Sequence, residues 1–337
     1  MTEYIRSRAP LRIGIGGGGT DVDPYASKKG GCVFNTTINK YAYCTLTPRN
    51  DKIMNVHSLY YGRYQVPLNG GPLEFDGNMD LIKAVVNHFE LKQGFDMMVH
   101  SDVPAGSGLG GSSTLMVSIV SAVANWMNFE MDKYEMAKLA YTLEREDIGL
   151  TGGKQDQYAA VFGGFNFLEI DMNGVRVKPV HIDEDIVSEL QCRSLLCYTG
   201  VSRDSASIIN TQVESFEKGF NEKALDESKR LAKEIGKSIQ AGDIEKAGRL
   251  LDESWSYKKQ FSSNVSNRHI DEFYNVAISN GAIGGKVSGA GGGGFMYYIC
   301  EYDKKAQVAQ ELQKQGVLIT DFMFDPKGVT SWRNNNE

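Results

Sequence analysis

The sequence predicts an α+β protein of two halves, and three observations point there. The first ~100 residues are mainly short β-branched and aromatic runs bounded by turns. Residues 112–126 (SSTLMVSIVSAVANW) are apolar on nearly every face, which demands a buried helix. The tail alternates helix, strand–loop–strand, helix and strand, the pattern of a small ferredoxin-like α/β sandwich.

Taken in order, residues 41–47 (YAYCTLT) read as a strand stopped by Pro48-Arg49-Asn50-Asp51, and Asn69-Gly70-Gly71-Pro72 marks a turn. Residues 95–100 form a strand that feeds the glycine-rich stretch 104–111, with the buried helix starting at Ser112. A second helix starts at Asp132, with Glu135 three residues on in a capping-box arrangement, and runs to about Asp147. Glycines from 149 to 153 end it, and a hairpin over 165–180 turns at Asn173-Gly174. The segment 182–193 holds the boundary, dividing the chain into 1–185 and 186–337. Two long polar helices follow over 222–240 and 243–261, then a helix at 268–280, strands around 283–300, a helix at 303–315 and a last strand near 317–324.

Composition narrows the function. A net charge of −6 argues against nucleic-acid binding, which needs a basic surface. No apolar run approaches the roughly 18 residues that span a bilayer, and the start shows no signal-peptide core, so a cytoplasmic protein without membrane contact is expected. Five scattered cysteines without a CxxC pair read as free thiols. The five histidines show no metal-binding spacing, and no zinc site or Ser-His-Asp triad is indicated.

Three glycine clusters, at 14–19, 106–111 and 289–294, each satisfy GxGxxG, so context must decide among them. None sits in the strand–glycine–helix–strand unit of a dinucleotide site. No glycine-lysine pair is followed by the Ser or Thr of a Walker loop. The second cluster precedes a buried helix, whose first N–H groups and positive dipole end make an anion site, with Ser112 and Ser113 as hydroxyl donors. The alternative is a tight glycine turn packed against the sheet. Glu144 lies on the helix face of Met136 and Ala140, so its carboxylate points inward and needs a partner, either a metal or a buried cation.

Three segments, taken together, resemble the motifs of the GHMP kinases, the superfamily of galactokinase, homoserine kinase, mevalonate kinase and phosphomevalonate kinase. They are Ala9-Pro10-Leu11-Arg12 with Gly18-Gly19-Thr20-Asp21, then the run from Pro104 to Ser113, then Lys286 to Phe295. The resemblance covers the whole chain, and implies an N-terminal ribosomal-protein-S5-like domain with a C-terminal ferredoxin-like one. Gly152-Gly153-Lys154-Gln155-Asp156-Gln157 and the first motif most resemble the D-glycero-D-manno-heptose 7-phosphate kinases, with L-fucokinases next. The implied reaction moves the γ-phosphoryl of ATP to the C1 hydroxyl of a sugar phosphate, with Mg²⁺; oligomeric state stays open. A non-catalytic nucleotide-binding protein is the competing reading.

The resemblance also implies roles. Asp156 faces the acceptor hydroxyl, and Arg12 is the cation beside it. Pro104, Gly106, Ser107, Gly108, Leu109, Gly110, Gly111, Ser112 and Ser113 form the ATP loop. Gly111 stands where the family usually has Ser, so the metal-binding hydroxyl falls on Ser112, with Glu144 as the second ligand. Asp21, with Gly18, Gly19 and Thr20, meets the sugar, and Gly163 and Gly164 line the same pocket. Gly289, Gly291 and Gly292 form a structural loop. For a second substrate phosphate the candidates are Lys154, Arg203, and Lys258 or Lys259.

Overall fold

The computed structural model describes residues 3–59, 62–201 and 205–335. The chain begins with β1 (Glu3–Gly16), α1 (Tyr25–Lys29), β2 (Gly31–Pro48), β3 (Ile53–Ser58), β4 (Gly62–Pro67), α2 (Asp80–His88) and β5 (Phe95–Ser101). It continues with α3 (Gly111–Trp126), α4 (Lys133–Tyr141), a π-helical turn at Thr142–Asp147, α5 (Gln155–Phe162), β6 (Asn166–Asp171) and β7 (Gly174–Pro179). Next come α6 (Glu184–Arg193), β8 (Ser194–Tyr198), α7 (Ser205–Glu217), α8 (Glu222–Gln240), α9 (Ile244–Lys258) and α10 (Arg268–Ser279). The last elements are β9 (Ala282–Val287), β10 (Phe295–Cys300), α11 (Lys305–Lys314), β11 (Leu318–Ile319) and β12 (Thr330–Asn335).

Among the described residues there are two sheets. The larger runs β12-β1-β2-β5-β3-β4, with β6 on β2 and β7 on β6; the smaller runs β11-β8-β10-β9. The apolar helix α3 is buried over most of its length, with Met116, Val117 and Val120 in the core beneath the larger sheet. Among the described residues no helix is long and apolar enough to cross a membrane.

Strand β1 is where the halves meet, and one irregularity in it matters. Ile5 and Ala9 belong to the core that α3 shares. Leu11, Ile13 and Ile15 belong to a different core, with Ala232 and Ile235 of α8 and Leu251 of α9. The β1–β2 register shifts between Pro10 and Arg12, where proline supplies no ladder N–H. Pro10 pairs with Tyr41 but Arg12 with Thr37, so β2 carries two extra residues across this irregularity. Beyond it Arg12 does not follow Arg6 and Arg8 outward but turns to the α5 side, where it meets Asp156, and is 4% exposed.

Two elements depart from the sequence reading. The strand expected over 317–324 shrinks to β11, and Phe324 makes only an isolated bridge to Ile38. Beyond it, β12 pairs antiparallel with β1 from Glu3↔Asn335 to Arg8↔Thr330, so the chain's last strand lies in the first sheet, across the expected boundary. That segment is polar and lacks the alternation that marks a half-buried strand, so its pairing was illegible locally.

Candidate active site

A cleft of about 330 Å³ is lined from both halves. One wall is the loop before α3. Gly106, Gly108 and Gly110 have φ of 71°, 86° and 79°, a left-handed backbone that side-chain-bearing residues resist. Ser107, Gly108, Gly110, Gly111, Ser112 and Ser113 line the cleft, where α3 presents its first N–H groups. Leu109 instead enters the core, and its carbonyl accepts from the Arg12 N–H at 3.2 Å. Pro104 precedes the turn and is exposed.

The third glycine run braces this loop. Gly289 lies directly against Gly108, Gly294 against the Ser107 carbonyl, and the Phe295 N–H donates to Ser107 O at 2.9 Å. Gly291 packs on Val265, and the Gly292 N–H donates to Val265 O at 2.5 Å.

Behind the start of α3, the Asp132 capping box forms as its sequence predicts. The helix then loosens into the π-helical turn, with the Ile148 N–H reaching back five residues to Leu143 O at 3.2 Å. Within that turn Glu144 is 0% exposed. Ser112 Oγ donates to its Oε1 at 2.8 Å and Gln157 Nε2 to its Oε2 at 2.7 Å, while Arg145 stands 3.6 Å away. A hydroxyl and a carboxylate, both hard oxygen donors at the mouth of an anion loop, fit a Mg²⁺ shared with phosphate oxygens. Among the described residues no three His, Cys, Asp or Glu side chains gather where they could hold a metal ion.

Arg12 and Asp156 meet at the centre. Arg12 Nε and Nη2 each lie 2.7 Å from Asp156 Oδ1, and Nη1 donates to Gly108 O at 2.7 Å. The guanidinium thus ties the carboxylate to the glycine loop. At Gly110 a φ of 79° already favours glycine, and a Cβ there would also press on Asp156 Cγ at 3.1 Å. Asp21 is buried and accepts from the Gly19 N–H at 3.0 Å and the Gln155 N–H at 3.1 Å. Burial, with the nearby Asp156 charge, raises its pKa despite those bonds.

The opposite wall holds groups from distant segments. Lys258 and Lys286 are almost fully buried yet line the cleft with Gly18, Gly19 and Gln212. Lys258 Nζ donates to Gly289 O, and Lys286 Nζ lies 3.4 Å from Ile15 O. Burial, reinforced by Arg12, lowers Lys258 to about 8; burial, Lys258 and Arg12 push Lys286 down as well. Gln155 spreads its amide over Gly14, and its buried Nε2 has no partner among the described residues.

Several expected contacts fall elsewhere. Gly163 and Gly164 do not line the cleft; they lie against residues 326–328, and the Gly164 N–H donates to Thr37 Oγ1 at 2.6 Å. Positive φ there serves the return of the C-terminal segment rather than a ligand. Lys154 leaves the cleft to pair with Asp23 at 2.9 Å, over the Tyr141 ring. Lys259 turns towards Asp271, 3.6 Å away. Thr20 staples its turn by donating to Gly17 O at 2.7 Å. Arg203 lies outside the described residues. Lys286, Gln155 and Gln212 were missed as site residues, although Lys286 heads the third motif and Gln155 precedes Asp156.

Comparison with known proteins agrees with this geometry. The GHMP kinase N-terminal domain model matches residues 80–164 and the C-terminal model residues 231–318. The D-glycero-alpha-D-manno-heptose 7-phosphate kinase of Campylobacter jejuni is 42% identical, over 98% of this chain and 99% of that protein. The chain is a GHMP kinase. This GHMP kinase also resembles the crystal structure of a D-glycero-D-manno-heptose 1-phosphate kinase from Bacteroides thetaiotaomicron, at 35% identity and a TM-score of 0.83, over 98% of this chain and all of that one. The L-fucokinase/L-fucose-1-P guanylyltransferase of Bacteroides fragilis is 27% identical over 96% of this chain but only 37% of its own length. Galactokinase from Lactococcus lactis, at 19% identity and a TM-score of 0.80, shares the fold.

Proposed function

We propose that this chain transfers the γ-phosphoryl of ATP to the anomeric C1 hydroxyl of a sugar phosphate, with D-glycero-D-manno-heptose 7-phosphate as the acceptor. The observation that carries this reading is the Arg12–Asp156 pair, fixed to the Gly108 carbonyl and flanked by Asp21. A carboxylate beside a phosphate loop is what an attacking hydroxyl requires, and the names of the two heptose relatives supply the acceptor class.

In this reading the loop N–H groups and the start of α3 hold the ATP phosphates. Asp21, with the Gln155 amide, orients the sugar. The acceptor O1 attacks the γ-phosphorus, its proton passes to Asp156, and the bond to the bridging oxygen breaks to release ADP. Arg12 offsets charge spreading over the migrating phosphoryl and holds the Asp156 carboxylate in place. Ser112 and Glu144 would hold Mg²⁺, which would supply charge neutralisation to the transferring phosphates.

The test is ADP release over a panel of free and phosphorylated sugars, with the product position read by phosphorus NMR. A heptose 1,7-bisphosphate formed from the 7-phosphate is the expected product. A new phosphate at C7 of a 1-phosphate acceptor would reverse the orientation, and turnover on unphosphorylated fucose alone would move the chain to the fucokinase side.

A further inference from the structure

The two buried lysines of the acceptor wall carry more charge than the catalytic pair explains. Among the described residues neither ammonium has a carboxylate within 4.0 Å, and their recorded hydrogen bonds go to main-chain carbonyls. A buried cation without a counter-ion is costly, and such a group is retained where an anion arrives to meet it. Of the two, Lys286 is held against Ile15 and is pushed further towards the neutral form. Lys258 spends one of its three N–H donors on Gly289 O.

What lies over Lys258 identifies the space for that anion. Gly18 is not in the left-handed region, so its backbone does not call for glycine. A Cβ there would meet nothing within 4 Å except Lys258 Nζ, at 4.0 Å. The missing side chain therefore keeps the ammonium open to the cleft. Gly19 is fixed beside it, its N–H donating to Asp21 and its carbonyl accepting from Gln212 Nε2 at 2.9 Å. The first turn of α7 bounds the same space with Ser205 and Ala206.

We propose that Lys258 determines specificity for the phosphate the acceptor already carries, binding that monoester over Gly18. The proposal rests on the sugar-phosphate reading above and names the group that reads the phosphate. A phosphate could also come from ATP, whose loop Lys258 reaches through Gly289. But Lys258 Nζ is also the one atom that a Cβ on Gly18 would meet, on the wall of Asp21, and the separate titrations below distinguish the two sources.

The lowered pKa of Lys258 adds a signature. The charged groups facing it are Arg12, Asp21 and Lys286, with Asp156 behind Arg12. Because Lys258 loses its proton near pH 8, affinity for the phosphorylated acceptor falls as pH rises through that value. Lys258→Arg, which stays charged, moves this decline to higher pH.

The experiment is calorimetric titration of the full chain with D-glycero-D-manno-heptose 7-phosphate and, separately, with ADP. Lys258→Met is expected to weaken the heptose phosphate about 50-fold, the scale of one charge-assisted hydrogen bond. ADP affinity stays within twofold, and the melting temperature stays at or above the wild-type value, since an unpaired buried charge is gone. Acceptor affinity within threefold of wild type overturns the proposal, as does an equal loss for ADP. Failure of the sugar-phosphate reading looks different: the wild-type protein itself transfers no phosphoryl group to any phosphorylated sugar.

Discussion

On one side of the cleft nearly every group is main chain, supplied by two glycine runs that brace each other through Gly108 and Gly289. On the other side the groups are side chains delivered by four separate segments: Asp21 from the loop after β1, Gln155 and Asp156 from the start of α5, Gln212 from α7, Lys258 from the end of α9. A wall made of backbone cannot change its chemistry without changing its fold. A wall made of side chains can be altered one contact at a time, so one scaffold can serve relatives with different acceptors. In the first wall, stability and binding should fail together; in the second they should separate.

The largest expected effect falls where the walls meet. Asp156→Asn should lower kcat by about 10³-fold, within the range for a positioned proton acceptor, with the ATP KM changed less than threefold. Steady-state kinetics decides this, and near-normal turnover removes Asp156 from the reaction. Next comes Gly108→Ala, which combines a φ of 86° with a Cβ forced onto the Ser288 carbonyl. It should cost about 1–3 kcal/mol of stability and raise the ATP KM at least tenfold, read by thermal melting and kinetics on one preparation. A normal melting temperature with lost ATP binding would break the comparison.

Glu144→Gln keeps an acceptor for Ser112 but removes the charge. It should raise the Mg²⁺ concentration for half-maximal rate about tenfold, read by Mg²⁺ titration of the steady-state rate, with the ATP loop itself left in place. Smallest is Gln155→Met, which deletes an unpaired buried donor. The acceptor KM should rise about five- to tenfold, the scale of one hydrogen bond, with ATP kinetics unchanged.

The same contrast explains what could be read from the sequence. The glycine loop and its buried helix were legible because their pattern is contiguous: glycines, then helix start, then an all-round apolar face. Glu144 was legible from helix phase with Met136 and Ala140, although the π-helical turn that carries it was not. Arg12 was recognisable as a motif residue, but its inward turn depends on the register shift after Pro10, which lies in strand pairing. Lys258 and Lys259 are adjacent in sequence and differ only in helix phase. Leu251, Trp255 and Lys258 share the buried stripe of α9, and that spacing could have separated the two lysines. Gly163 and Gly164 misled because a left-handed glycine reads alike whether it faces a ligand or a returning chain.

That returning chain sets an order on how the molecule is made. Strand β1 is synthesised long before its outer partner, β12, which lies some three hundred residues later. Until residues 330–335 have emerged from the ribosome, β1 offers an open hydrogen-bonding edge to whatever passes. Domains otherwise tend to fold in order of synthesis, but among the described residues the edge of the sheet at β1 is closed by β12, which follows all the other strands. Nascent chains stalled before residue 330 should therefore carry a reactive edge that the finished enzyme lacks.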